Sequence, residues 1–89
     1  MKAVVTVVGK DRVGIIADVC TDLSMFNVNV LDIRQTVMQG YFTMMMVVDV
    51  SESICPLAEL AQKLEEKGRQ MNLSIRLQRE EIFQAMHRV

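Results

Sequence analysis

Apolar and polar residues change period several times along the chain, and each change marks an element. Residues 2–8 (KAVVTVV) are β-branched and nearly all apolar, the pattern of a strand buried on both faces. Gly9 to Gly14 (GKDRVG) is polar and bounded by glycine, which predicts a loop. Ile16, Val19, Cys20 and Leu23 then recur at i, i+3, i+4 and i+7, with Asp18, Thr21, Asp22 and Ser24 on the other side. That spacing predicts an amphipathic helix over residues 13–25. Asp11 is a candidate cap at its start, and Asn27 suits the left-handed conformation that follows a helix.

Residues 28–39 read as a long strand. Strict alternation puts Leu31, Ile33 and Val37 on one face with Asn29 and Gln35, and Asp32, Arg34 and Thr36 on the other with Val28 and Val30. Gln39-Gly40 predicts a tight turn, and 41–50 (YFTMMMVVDV) a central strand, apolar on both faces. Pro56 suits the first position of a second helix. Leu57, Leu60, Ala61 and Leu64 give its stripe, Glu59 and Lys63 an i, i+4 pair, and Gly68 its expected end. Leu73, Ile75 and Leu77 alternate with Ser74, Arg76 and Gln78, as in a half-exposed edge strand. The tail opens on Glu80-Glu81 and ends on His87-Arg88, with Ile82, Phe83, Met86 and Val89 as an apolar stripe. Acids first and bases last suit a helix dipole.

The order is therefore β-α-β-β-α-β with an added C-terminal helix. This is an α+β class, ferredoxin-like βαββαβ sandwich. We expect one domain over 1–89, its core over 2–79 and its terminal helix over about 80–88. Two helices should cover one sheet face. The apolar outer face then needs the terminal helix or a second subunit.

Composition sharpens this picture. Hydrophobic residues make up 51% against 24% charged, which excludes disorder, and with 4% aromatics and no Trp the core must be Val, Ile, Leu and Met. So short a chain buries only about 60–65% of its unfolded surface. Surplus apolar area in it points to a homodimer. A net charge of −1 without charge blocks argues against nucleic acid and against a membrane surface. Met44–Val48, the longest apolar run, is far short of the roughly 20 residues that span a bilayer. Ala3–Val8 is too short for a secretory signal. Cys20 and Cys55 make no disulfide framework, so we expect a reduced, cytoplasmic protein.

The chemistry of catalysis is thin. His87 is a lone terminal histidine, better suited to a helix dipole than to base catalysis. Cys20 lies on a core stripe, Cys55 has no neighbouring base, and neither has zinc spacing. Gly9 to Gly14 lacks the G-x-x-x-x-G-K-[ST] ending of a phosphate loop. The eight Met read as core filler rather than a metal site. We expect no catalytic residues, no metal and no cofactor. What remains is the first loop, where Gly14 admits close backbone approach and the N–H groups of residues 13–16 suit a carboxylate. Asn29, read as facing inward, wants partners. Loop packing at Gly14 and backbone bonding at Asn29 explain both, and on physical grounds alone slightly better.

The segment V-x-G-x-D-R-V-G-I-I-A-D-V before a helix, followed by F-N-V-N-V-L-D-I, resembles the ACT domain. Gly9, Asp11, Arg12, Gly14, Ile15 and Ile16, then Asn27, Asn29, Val30 and Ile33, carry the likeness. The element order extends it over essentially the whole chain. It is most similar to small stand-alone ACT proteins related to the glycine-cleavage-system repressor, with the tail Ile82–Arg88 matching their ending. The resemblance implies a regulatory module that binds an amino acid or other small molecule where subunits meet and acts on a partner protein. Carried over by position, the ligand-binding residues are Asp11, Arg12, Val13, Gly14 and Ile15 with Asn27 and Asn29. Val13 departs from the family, where Pro is common, and leaves the loop less rigid. A ligand-free interaction module of the same fold is the alternative.

Overall fold

A computed structural model describes residues 1–10 and 12–86. The elements are β1 (Lys2–Lys10), α1 (Ile15–Met25), β2 (Asn29–Met38), β3 (Tyr41–Asp49), α2 (Leu57–Gln70), β4 (Leu73–Arg79) and α3 (Glu80–Met86). They form one antiparallel four-stranded sheet in the order β2-β3-β1-β4. This is the expected ferredoxin-like βαββαβ arrangement with a C-terminal helix. The proposed cap at Asp11 and the tail from His87 onward lie outside the described residues.

Alternation along the central strands divides the sheet. Ala3, Val5 and Val7 on β1 and Phe42, Met44, Met46 and Val48 on β3 are buried. They meet Ile15, Val19 and Leu23 of α1 and Leu60 and Leu64 of α2 in one core. Met44 and Met46 are fully buried and act as the expected fillers, whereas Met1, Met25, Met38 and Met45 are exposed and do not fill the core. Positive φ at both Gln39 (51°) and Gly40 (82°) makes the tight β2–β3 turn, the backbone that matches a right-twisted hairpin. Asn27 (φ 60°) and Asn72 (φ 58°) take the left-handed position after α1 and α2.

Four expectations are corrected. Gly68 does not end α2, which runs on to Gln70; Gly68 is buried where the helix crosses β4. A Cβ there would stand 2.8 Å from the Leu73 carbonyl oxygen, so close packing, not termination, demands glycine. In α1, Ile15 rather than Ile16 takes the first core position; Ile16 is exposed. With the helix starting at Ile15, positions 15, 19 and 23 stack inward. In α3, Phe83 is half-buried against the outer face near Val4 and Val47, whereas Ile82 is 49% exposed. Neighbouring helical residues point about 100° apart, so one of the two must face away.

The fourth correction concerns β2. The pairing with β3 shifts by one residue between Val30 and Asp32, a β-bulge that interrupts the alternation. Val30 pairs with buried Val48, and Ile33, Gln35 and Val37 pair with buried Met46, Met44 and Phe42, all on the helix side. Asn29 pairs with Asp49 on the opposite face and is exposed. It does not face inward, and Val30 does not share a face with Asp32.

Candidate functional site

Where β1 hands over to α1, Gly14 has φ 89° and caps the helix with no side-chain cap among the described residues. The first helical bond runs from the Asp18 N–H to the Gly14 carbonyl (2.9 Å). The N–H groups of Ile15, Ile16 and Ala17 precede it, so the helix offers them no carbonyl. Together with the helix dipole they form an electropositive end. Arg12 folds over this end: its Nη1 donates to Asp18 Oδ2 and to the Val13 carbonyl, each at 3.2 Å. The pair is half exposed and of the kind worth at most about 1 kcal/mol, so the guanidinium can exchange partners.

α1 leaves the far half of β2 uncovered. An open cleft of about 730 Å³ results, walled by Arg12, Gly14 and Ile16 on one side and Gln35 and Val37 on the other, with Phe42 below. Its described lining supplies backbone donors, one cation, one amide and apolar surface. That set suits recognition of a small anion bearing an apolar group.

Arg12, Gly14 and Ile15 among the expected site residues line this cleft. Val13 is 98% exposed beside it, and Asp11 lies outside the described residues. Asn27 and Asn29 stand elsewhere. The Asn27 Nδ2 donates to the Glu52 carbonyl at 2.8 Å, tying the end of α1 to the β3–α2 loop. Asn29 opens β2, eight residues before Val37, roughly 25 Å away at about 3.3 Å per residue. One copy of the chain thus does not bring the asparagines and the Gly14 loop together. Sequence reasoning missed Gln35, Val37 and Phe42 as lining; Gln35, polar among the apolar residues of its face, was the available signal.

Beside Asn29, Asp49 shows the clearest electrostatic effect. Its Oδ1 accepts from the Ser51 hydroxyl (2.6 Å) and the Ser51 N–H (2.9 Å). These two bonds, helped by the Met1 ammonium, hold the carboxyl at about 2 instead of 3.8. Cys20 and Cys55 are free and half-buried. Among the described residues, no group of three or more His, Cys, Asp or Glu side chains could hold a metal, and no helix is long and apolar enough to cross a membrane.

Residues 2–78 match the profile of the ACT domain. The chain belongs to the ACT domain family. A UPF0237 protein of Bifidobacterium longum is 54% identical over 88 residues, covering 99% of this ACT chain and 98% of the relative. The solved ACT domain protein from Streptococcus pneumoniae superposes with a TM-score of 0.83 at 42% identity, covering 98% of both chains. A protein described as a candidate glycine cleavage system transcriptional repressor gives a TM-score of 0.72 at 26% identity over 86% of this chain and 44% of that one. ACT domains are typically regulatory and ligand-binding, and the cleft lies on the ACT scaffold.

Proposed function

We propose that this ACT protein is a non-enzymatic, homodimeric sensor that binds a small carboxylate, most simply an amino acid, and acts on a partner protein. The observation that carries the reading is the cleft between the Gly14 helix start and Gln35–Val37. A ligand carboxylate meets the N–H groups of Ile15 to Ala17 and the Arg12 guanidinium. The Gln35 amide oxygen accepts from an ammonium group. The ligand's apolar portion lies on Val37 and Phe42. Asn27 and Asn29 serve the same site only if a second subunit contributes them, since within one chain they stand at the far end of β2. Free Cys20 and Cys55 suit a reducing, cytoplasmic setting.

A thermal-shift panel of amino acids and one-carbon metabolites, followed by calorimetric titration, tests the reading. A ligand at 100 times its Kd should add about 2.7 kcal/mol of stability. Gln35→Ala should weaken binding by about 0.5–1.5 kcal/mol without moving the melting temperature, because Gln35 is exposed. If no such molecule binds the unaltered protein at millimolar concentration, the sensor reading fails and an interaction module of the same fold replaces it.

A further inference from the structure

We infer that the open edge of β4 is a docking site for an extended acidic segment of a partner protein, which adds to the sheet as a further antiparallel strand and sets its acids against Arg76 and Arg79. This names the surface through which the proposed sensor acts on its partner, and rests on that reading for its use. β4 pairs with β1 on one side and ends the sheet on the other. An edge strand presents a row of unpaired N–H and C=O groups to any strand that arrives. β4 has no proline and no bulge to blunt it. Its guard is positive charge, and that guard admits an acidic strand. Beside the edge, between α2 and β4, lies a groove of about 360 Å³ lined by Ala61, Glu65, Ile75, Arg76, Leu77 and Gln78. Strand addition draws affinity from the main-chain bonds and specificity from pockets for alternate side chains.

Charge decides the occupant. Arg76 and Arg79 are exposed, and neither has an ion-pair partner among the described residues. Glu65, the acid of the groove, is held by Arg69 at 3.2 Å. Glu80 and Glu81 follow Arg79 but leave the strand with α3, which packs on β1 and β4. β4 itself carries no acid, so no register against β4 of a second copy yields an opposite-sign pair. Opposite charges directly across a ladder stabilise it and like charges oppose it. Arg76 pairs with Thr6 and lies on the outer face, whereas Arg79 pairs with Ala3 on the helix face. The arriving acids must therefore stand three residues apart, on opposite faces of their strand. Ile75 and Leu77 flank Arg76 and line the groove, so apolar residues opposite them close it. Read antiparallel to β4, the fitting pattern is acid, any residue, apolar, acid, apolar.

The test titrates the full chain against two capped, fluorescently labelled peptides, Glu-Thr-Val-Glu-Val-Thr and its basic twin Lys-Thr-Val-Lys-Val-Thr, by anisotropy. The acidic peptide should bind on the order of tenfold more tightly than the basic one at low salt, and the ratio should shrink as salt rises. In the double variant Arg76→Glu with Arg79→Glu the preference should reverse, because every cross-strand pair changes sign. Both residues are exposed, so melting curves at one protein concentration serve as the folding control. Equal binding of the two peptides, a preference that survives the charge reversal, or no binding of either at millimolar concentration overturns the docking site. Sedimentation equilibrium without peptide checks the other occupant: if the double variant loses an assembly that the unaltered protein forms, a second copy covers β4 and the proposal is overturned. No arm uses a small-molecule ligand, so a failure of the sensor reading shows separately, in the thermal-shift panel.

Discussion

Replacing Gly68 by Ala should destabilise this protein, against the usual rule for helices. Within a helix, Gly→Ala ordinarily stabilises by about 1 kcal/mol through backbone entropy and propensity. Gly68 lies two residues before the end of α2, buried against β4. A Cβ there would stand 2.8 Å from the Leu73 carbonyl oxygen and 2.9 Å from Cγ1 of Ile75. The Leu73 carbonyl belongs to a strand whose register with β1 is fixed from Gly9 to Ala3, so it cannot swing aside as a side-chain tip could. α2 must lift instead, loosening Leu64 and Leu60, which are fully buried. Forcing one extra carbon into a packed interior costs about 1–3 kcal/mol. Against the propensity gain of about 1 kcal/mol, the net loss should be up to about 2 kcal/mol. For a chain of this size each kcal/mol moves the melting temperature by roughly 4–8 °C, so a drop of up to about 15 °C is expected. Circular-dichroism melts at one fixed protein concentration read it, with exposed Gln70→Ala as a control expected to stay within about 0.5 kcal/mol. A Gly68→Ala protein that melts above the unaltered temperature, showing the ordinary helix gain, would refute the close-packing argument.

Asn27→Ala should cost about 0.5–1.5 kcal/mol by removing the bond to the Glu52 carbonyl, and somewhat more because alanine tolerates the φ of 60° poorly; urea midpoints check it, and an unchanged midpoint would deny Asn27 its anchoring role. Asp49 should titrate near 2 in the folded protein, against 3.8 unperturbed. Because the folded value is the lower one, its contribution to stability is complete above about pH 4 and fades as pH falls toward 2. Ser51→Ala should raise the Asp49 value, and carboxyl-carbon NMR titration reads both; a midpoint near 3.8 in the unaltered protein would contradict the geometry.

The element order was legible because each element carries its own period. β1 and β3 are apolar through their central positions, the two helices repeat at three and four, and β4 alternates. What stayed hidden came from events that leave no local trace. A bulge inserts one residue without changing composition, and from Val30 back to Asn29 it moves every side chain to the other face. Gly68 reads as a helix stop because the same residue serves both as a stop and as a close-packing site, and only the crossing with β4 tells them apart. The lining of the candidate cleft was half legible. Arg12, Gly14 and Ile15 follow from the loop and its family likeness, whereas Gln35, Val37 and Phe42 reach the cleft only through the sheet order, which no single segment encodes.

The strand order also sets a sequence of events for folding. The β2–β3 hairpin closes across two residues, Gln39 and Gly40, and loop entropy for so short a connection is small. β1 comes first along the chain yet lies in the middle of the sheet, and its pairs with β4 join residues more than sixty positions apart, such as Gly9 and Leu73. Contacts at that separation are the slow ones in a topology-limited search. Until both neighbours arrive, β1 presents Ala3, Val5 and Val7 with two open edges. Joining the first strand to the last is therefore the slowest pairing in this sheet, and Lys2 and Lys10 at the ends of β1 are the charges that discourage other chains from pairing with its open edge in the meantime.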